Sequence, residues 1–258
     1  MRRIKIVIAY DGTNYHGWQI QPNNITIESV LNEALTGLLG EPIEVIGASR
    51  TDSGVHALCN VAVFDTNHRM PADRICFAMN QRLPRDIRIQ ESYEVPLDYH
   101  PRHQNSTKTY EYKILNRSIE MPLERLYTTY CYFDLDVDKM RQAASYMVGE
   151  HDFKSFSSVR TQVTDFVRTI YTLDITKEGD VITIRVSGNG FLYNMVRIIA
   201  GTLMKVGMGF YPPEHVIEII DAKDRTVAGP KAEARGLTLV KLEYEDDGRM
   251  DHKPDAKQ

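Results

Sequence analysis

Eleven residues, Gly47-Ala48-Ser49-Arg50-Thr51-Asp52-Ser53-Gly54-Val55-His56-Ala57, form the part of this chain best equipped for chemistry. They are polar, bounded by glycine and set between two apolar stretches, the kind of loop that carries function disproportionately often. Asp52 can serve as nucleophile or general base, Arg50 is near enough in sequence to meet a phosphate, and Gly54 permits a tight turn. The bland account of the same residues is an Asx-turn, in which an aspartate before Ser-Gly caps a connection between strands without any catalytic role.

Asp52-Ser53-Gly54 is also the tripeptide of the aspartic peptidases, whose two carboxylates share a proton. No second Asp-Ser-Gly or Asp-Thr-Gly occurs in the chain, so a peptidase would have to borrow its second aspartate from a dimer partner. Other motifs are weaker. Gly188-Asn189-Gly190 follows a strand-like stretch, but Tyr193 replaces the third glycine of a dinucleotide fingerprint. Asp134, Asp136 and Asp138 imitate the start of a calcium loop, yet Lys139 and Ser145 stand where its glycine and bidentate glutamate belong. His100 and His103 lack partnering cysteines, and Cys59, Cys76 and Cys131 form no CxxC pair, so neither a zinc site nor a disulfide framework is indicated. A reducing cytoplasm is the natural compartment.

The elements that must position the loop follow from periodicity. Ile4, Ile6 and Ile8 alternate as in a strand with one buried face. Ile27, Val30, Leu31, Ala34, Leu35, Leu38 and Leu39 repeat at helical spacing, with Thr26 as N-cap and Gly40 as stop. Strands at 43–48 and 60–65, a helix started by Pro71 and running to about Asn80, and a strand at Ile87 and Ile89 complete the order βαββαβ, the split arrangement of a ferredoxin-like unit. The order then repeats: strand 108–115, helix 138–148, strands 167–176 and 181–187, helix 194–206 and strand 237–244, with an extra helix after Pro212-Pro213. The expected fold is therefore α+β, two ferredoxin-like halves over 1–105 and 106–245 whose antiparallel sheets abut around a central cleft. Residues 246–258 carry no periodicity and are expected to form a disordered tail. No apolar run is long enough to span a membrane.

Ser49-Arg50-Thr51-Asp52-Ser53-Gly54-Val55-His56-Ala57 closely resembles the catalytic motif of the TruA-type tRNA pseudouridine synthases, and the similarity continues along the chain. Tyr10-Asp11-Gly12-Thr13-Asn14-Tyr15-His16-Gly17-Trp18-Gln19 resembles that family's opening motif. Lys108-Thr109-Tyr110-Glu111-Tyr112, Asp152-Phe153-Lys154-Ser155-Phe156, Gly190-Phe191-Leu192-Tyr193-Asn194-Met195-Val196-Arg197 and Ala234-Arg235-Gly236-Leu237 are similar in order and spacing. Ser49, Cys59-Asn60 and Lys231 depart from the usual pattern without removing a catalytic group.

The resemblance implies an isomerase that breaks the glycosidic bond of a tRNA uridine, turns the uracil and rejoins it through carbon 5, acting on the anticodon stem-loop at positions 38, 39 and 40. It implies a homodimer, and neither cofactor nor metal. Asp52 matches the essential aspartate. Arg197 matches the basic residue that pairs with it and would grip it bidentately; the bland account makes Arg197 an exposed residue on an apolar helix. Tyr110 matches the active-site tyrosine that lies against the target base, against a bland account as a core tyrosine on one strand face with Tyr112 and Ile114. Arg50 matches an arginine that fills the space left by the flipped base, and Leu192 is a further expected substrate contact. A different class of reading is an RNA-binding paralogue that keeps the fold without catalysis.

Composition sets a boundary on these readings. With 258 residues, 42% hydrophobic and 26% charged, the chain can bury a substantial core, but its formal charge of −4 argues against a nucleic-acid partner at first sight. The excess is local. Residues 243–258 hold six acids against three bases, whereas 69–117 hold nine bases against six acids. Phosphates respond to local surface, so a basic cleft on a weakly acidic protein is the expectation.

Overall fold

The computed structural model describes residues 1–158 and 164–250. Strand β1 (Arg2–Tyr10) buries Ile4, Ile6 and Ile8 on one face, as alternation requires. Helix α1 (Ile27–Leu39) starts on a reciprocal cap: Thr26 Oγ1 accepts from the Ser29 amide at 3.2 Å, and Ser29 Oγ accepts from the Thr26 amide at 3.1 Å. Gly40 ends it in the left-handed conformation, φ 71°, which glycine adopts without penalty. Ile27, Leu31, Leu35 and Leu39 form its buried stripe. β2 (Ile46–Gly47), β3 (His56–Thr66), α2 (Ala72–Asn80) and β4 (Ile87–Val95) follow. Pro71 stands just outside α2 as its cap residue rather than as its first turn.

The second run comprises β5 (Ser106–Asn116), β6 (Thr129–Cys131), α3 (Val137–Ser145), β7 (Gly149–Asp152), β8 (Val167–Glu178), β9 (Val181–Gly188), α4 (Met195–Gly207), α5 (His215–Ala222) and β10 (Leu237–Tyr244). The short β6 and β7 carry too few residues for alternation to register and were not foreseen. α4 is apolar on every side and buried along most of its length, which is how a helix behaves when it is enclosed rather than laid on a surface.

The strands form a single ten-stranded sheet in the order β4-β1-β3-β10-β5-β9-β8-β7, with β2 on β3 and β6 on β5. Where two abutting sheets are expected, the strands are continuous. The seam is narrow: β10 runs parallel to β3 over only two pairs, Thr238 with His56 and Leu239 with Ala57. Leu239 pairs on its other side with Tyr110 of β5. Ala57, Leu239 and Tyr110 thus lie in one row across three strands, so Tyr110 is about 10 Å from the end of the Asp52 loop, two strand spacings away. One buried apolar cluster runs through both sides of the seam.

Two observations depart from the sequence reading. Lys5, on the polar face of β1, is only 1% exposed. Its Nζ lies 4.3 to 5.4 Å from the ring centres of Tyr93, Tyr99 and Tyr244 and donates to the Tyr99 hydroxyl and the Asp247 carbonyl, both at 2.8 Å. Burial pulls this amine down to about 8, while the rings and the two acceptors hold its charge. The lysine also anchors the start of the expected tail: the Met250 amide donates to the Glu94 carbonyl at 3.1 Å and Arg249 pairs with Glu91 at 2.6 Å. Residues 246–250 are therefore placed against the sheet, and 251–258 lie outside the described residues. Among the described residues no helix is long and apolar enough to cross a membrane.

Thr26 is fully buried, so Thr26→Ala loses its cap without gaining any solvent substitute. It should destabilise the chain by about 1 kcal/mol, read as a lower urea midpoint at unchanged slope.

Candidate active site at the sheet seam

The loop between β2 and β3 is held from three directions. Asn60 is fully buried; its amide donates to the Ser49 carbonyl at 2.9 Å and to the Tyr10 hydroxyl at 3.2 Å, and its oxygen accepts from the Ser49 amide at 3.3 Å. The Tyr10 hydroxyl in turn lies 2.8 Å from Thr51 Oγ1. The segment after β1 lies under the loop: the Trp18 amide donates to the Thr51 carbonyl at 3.0 Å and the Gly54 amide to the Tyr15 carbonyl at 3.2 Å. The contact is close enough to require glycines. A Cβ on Gly17, whose φ is 84°, would sit 2.6 Å from the Thr51 oxygen, and one on Gly47 would sit 2.3 Å from the Trp18 indole nitrogen. The opening motif, Tyr10 to Trp18, is thus the cradle of the Asp52 loop.

His56 closes the far end. Its Nδ1 lies 3.0 Å from the Gly12 amide and 3.1 Å from Asp11 Oδ1, and its Nε2 lies 3.2 Å from the Arg235 carbonyl on the other side of the seam. Tyr127 donates to Asp11 Oδ2 at 2.6 Å. Burial works against ionisation of Asp11, but the hydrogen bonds from Thr13 and Tyr127, with the His56 ring, outweigh it and hold the carboxyl below its ordinary range.

Asp52 does not cap a turn. The amide of Val55 donates to the Asp52 backbone carbonyl at 3.1 Å, while the carboxylate receives Nη1 of Arg197 on Oδ2 at 3.0 Å. Arg197 is 8% exposed, because α4 is enclosed on all sides; an exposed, solvated arginine would require a helix with an outward face. Its Nε donates to the Ala232 carbonyl at 2.8 Å, its Nη1 also reaches Asn194 Oδ1 at 3.2 Å, and its own carbonyl accepts from the Ala232 amide at 3.1 Å. The grip on Asp52 is single rather than bidentate: Nη1 alone reaches the carboxylate, on Oδ2. Among the described residues Oδ1 of Asp52 accepts no hydrogen bond, and the side chain is 19% exposed. One oxygen is anchored and the other is available.

Asn194 is a residue that sequence reasoning missed. It stands at the N-cap of α4 with φ 62°, a left-handed conformation that asparagine tolerates better than most residues. Besides accepting from Arg197, its amide donates to Ser158 Oγ at 2.7 Å, so it ties the chain after the Lys154–Phe156 turn to the guanidinium. The signal available in advance was an asparagine at the first turn of a helix, which names a cap and not a partner.

Tyr110 is 8% exposed and meets Phe191 edge to face, ring centres 5.4 Å apart at 90°. Burial pushes its phenol far up; the charges of Tyr10 and Asp52 add to this, while the nearby Ser49 hydroxyl opposes it. The phenol is therefore neutral across the physiological range, and Asp52 is near enough for its charge to be felt there. Arg50 is exposed on the loop, beside Arg102. Leu192 is packed in the core, its amide facing Met195 Sδ at 3.5 Å, rather than presented at the surface. Of the residues expected to work together, Asp52 and Arg197 are in direct contact, the charge of Asp52 is felt at Tyr110, Arg50 is exposed on the Asp52 loop and Leu192 is packed in the core. Among the described residues no group of three or more His, Cys, Asp or Glu side chains is arranged to hold a metal ion.

Comparison with known proteins is consistent along the chain. A family profile described as tRNA pseudouridine synthase matches residues 6–104 and 143–245. The chain is 46% identical over 244 residues to a tRNA pseudouridine synthase A of Thermoanaerobacter sp. (strain X514), covering 95% of this chain and 100% of that one. It is 48% identical over 245 residues to the tRNA pseudouridine synthase A of Ruminiclostridium cellulolyticum, with the same coverage. A tRNA pseudouridine synthase A 2 of Clostridium perfringens is 48% identical over 244 residues, again covering 95% and 100%.

Trp18 is the single tryptophan of the chain, so the cradle carries its own reporter. Gly47→Ala forces a methyl group into the indole and should cost about 1 to 3 kcal/mol. Trp18 emission should shift to the red as the ring is displaced towards solvent, and an unshifted spectrum at wild-type stability would show that the packing is not close.

Proposed function

The chain belongs to the tRNA pseudouridine synthase family, and from that premise we propose that Asp52 is the nucleophile with which it converts uridine to pseudouridine in the anticodon stem-loop, at positions 38, 39 and 40. The enzyme is an isomerase acting on tRNA. The observation that carries the assignment of Asp52 is its pairing with Arg197, which keeps one carboxylate oxygen fixed while Oδ1 accepts no hydrogen bond among the described residues. A single carboxylate is sufficient for this chemistry. The uracil detached from its sugar stays in the site and re-forms its bond through carbon 5, so no external nucleophile has to be activated and holding the pieces in register does most of the work. Overall the carbon 5 proton is given up and N1 gains one, so the product is an isomer of the substrate.

In this reading the Tyr110 ring receives the flipped base. Stacking on an aromatic ring is worth about 1 to 3 kcal/mol per base, which matches the few kcal/mol that extrusion costs. The neutrality of its phenol suits it to lie beside Asp52 without adding a second negative charge. Arg50, which is exposed on the loop, fills the space left by the flipped base in this reading. Leu192, buried in the core beside Phe191 in sequence, supports this reading only through packing. The guanidinium also speaks against a peptidase, because an aspartate neutralised by arginine does not share a proton with another aspartate. Retention of the whole Asp52, Arg197 and Asn194 arrangement speaks against a non-catalytic paralogue.

The proposed halves, 1–105 and 106–245, are supported by the strand orders on either side of the seam, β4-β1-β3-β2 and β10-β5-β9-β8, each of which follows the same pattern along its βαββαβ run. The profile match falls into corresponding segments, 6–104 and 143–245. We also propose a homodimer, by resemblance to the family, and a cytoplasmic location, in keeping with three cysteines that remain free thiols.

Asp52→Ala should abolish pseudouridine formation in tRNA while leaving the fold and tRNA affinity largely intact; turnover in that variant would refute the assignment. Arg197→Met should reduce turnover more than affinity, and Tyr110→Ala should reduce it severely. Asn194→Gly keeps the left-handed backbone while deleting the amide, and should lower kcat more than it raises KM. Asn194→Asp should be worse, since it offers Arg197 a second carboxylate in competition with Asp52; wild-type kinetics in both variants would reduce Asn194 to a helix cap. Mapping pseudouridine in tRNA from a strain lacking the gene tests the target, and an unchanged anticodon arm would rule it out.

A further inference from the structure

Beside the loop, two cations, Arg102 and Lys108, reach its backbone carbonyls, and the charge of a third, Arg50, acts on Arg102 from the loop itself. Arg102, in the linker before β5, donates Nε to the Gly47 carbonyl at 2.7 Å, and Lys108 of β5 directs Nζ at the Ala48 carbonyl at 3.5 Å. The neighbouring charge that acts on Lys108 is another cation, Arg102; Arg102 is repelled by Arg50, with Glu28 as the acid that acts against this. Burial pulls the Lys108 amine down to about 8, with Arg102 adding to the effect. A largely enclosed lysine with like charge beside it is held at a cost in stability, and carbonyls at 2.7 and 3.5 Å only partly compensate. An anion between Arg102 and Lys108 would relieve it.

Resting on the tRNA reading above, we propose that Arg102 and Lys108 form a seat for one backbone phosphate of the RNA, next to the nucleotide whose base Tyr110 receives. The placement follows from the strand. Lys108 and Tyr110 lie on the same face of β5, two residues and about 7 Å apart, so a chain whose base lies on the tyrosine brings its sugar-phosphate backbone across the lysine. Arg102 supplies a planar donor fork whose Nη groups make no hydrogen bond among the described residues, its Nε alone being taken by the Gly47 carbonyl. The seat fixes the register of the strand, which base contacts at a flipped uridine cannot do alone.

The experiment is equilibrium binding of an unmodified tRNA transcript to the full chain across a series of salt concentrations, with pseudouridine formation measured in parallel. Lys108→Met and Arg102→Gln should each flatten the slope of log affinity against log salt by about 1. Lys108→Met should also leave the thermal midpoint unchanged or raised, because an uncompensated buried charge is removed, and Lys108→Arg should restore the slope. Arg102→Gln, at an exposed position, keeps the test available should Lys108→Met not fold. Normal tRNA binding and modification by the intact protein, with unaltered slopes in the variants, would overturn the seat alone. Failure of the intact protein to bind or modify tRNA would overturn the seat together with the function on which it rests.

Discussion

A guanidinium inside an apolar helix is the constraint around which this protein is arranged. Arg197 sits in the first turn of α4 where its neighbours Met195, Val196, Ile198 and Ile199 are all buried, so its charge must be met by protein groups. Three groups meet it: the Ala232 carbonyl, the Asn194 side chain and Asp52, drawn from three separate parts of the chain. The segment that supplies Ala232 can approach only because α4 has glycine where they touch; a Cβ on Gly201 would lie 1.8 Å from the Pro230 carbonyl oxygen. Thr202 accepts from the Gly229 amide at 3.0 Å and completes the contact. The carboxylate proposed as nucleophile is thus also a structural counter-charge, and the same ion pair links the two sides of the sheet.

Much of the architecture was legible in the sequence because it obeys simple periods. The Thr26 to Gly40 helix came with both caps and an unbroken apolar stripe, and β1, β5, β8, β9 and β10 alternate over enough residues to be counted. What escaped has physical causes. Without the family motif Arg197 reads as solvated, because one arginine in an apolar helix is usually an outward residue; enclosure of a helix depends on what packs against it, which periodicity does not record. Lys5 reads as the polar half of an alternation, and only the distant Tyr93, Tyr99 and Tyr244 turn its position into a closed one. The continuity of the sheet hangs on two residue pairs, too few to leave a trace in composition.

The site divides similarly. Asp52, Tyr110 and Arg197 were identified through family motifs, and their geometry explains why such motifs are spread along the chain. Tyr10, Gly12, Gly17 and Trp18 have no reactive group in the site, yet each fixes the backbone on which Asp52 stands. Asn60, a departure from the usual pattern, uses all of its hydrogen-bonding capacity in joining Ser49 to Tyr10 and in accepting from the Val61 amide. Asn194 and the cations Arg102 and Lys108 carry no signal by residue type; they become informative only when distances are known.

The two-pair seam between β3 and β10 has a consequence for how the protein comes into being. β3 ends at residue 66, whereas its parallel neighbour begins at Leu237, and chains emerge from synthesis N-terminal end first. Until β10 arrives, the edge of β3 at His56 and Ala57 is unpaired, the Arg235 carbonyl is absent from the His56 ring, and Ala232 is not there to hold Arg197. A nascent chain therefore carries the carboxylate proposed as nucleophile for most of its synthesis without the groups that fix Arg197 against it. On that reading, copies that stop short of the last strand are expected to be silent towards RNA rather than loosely active.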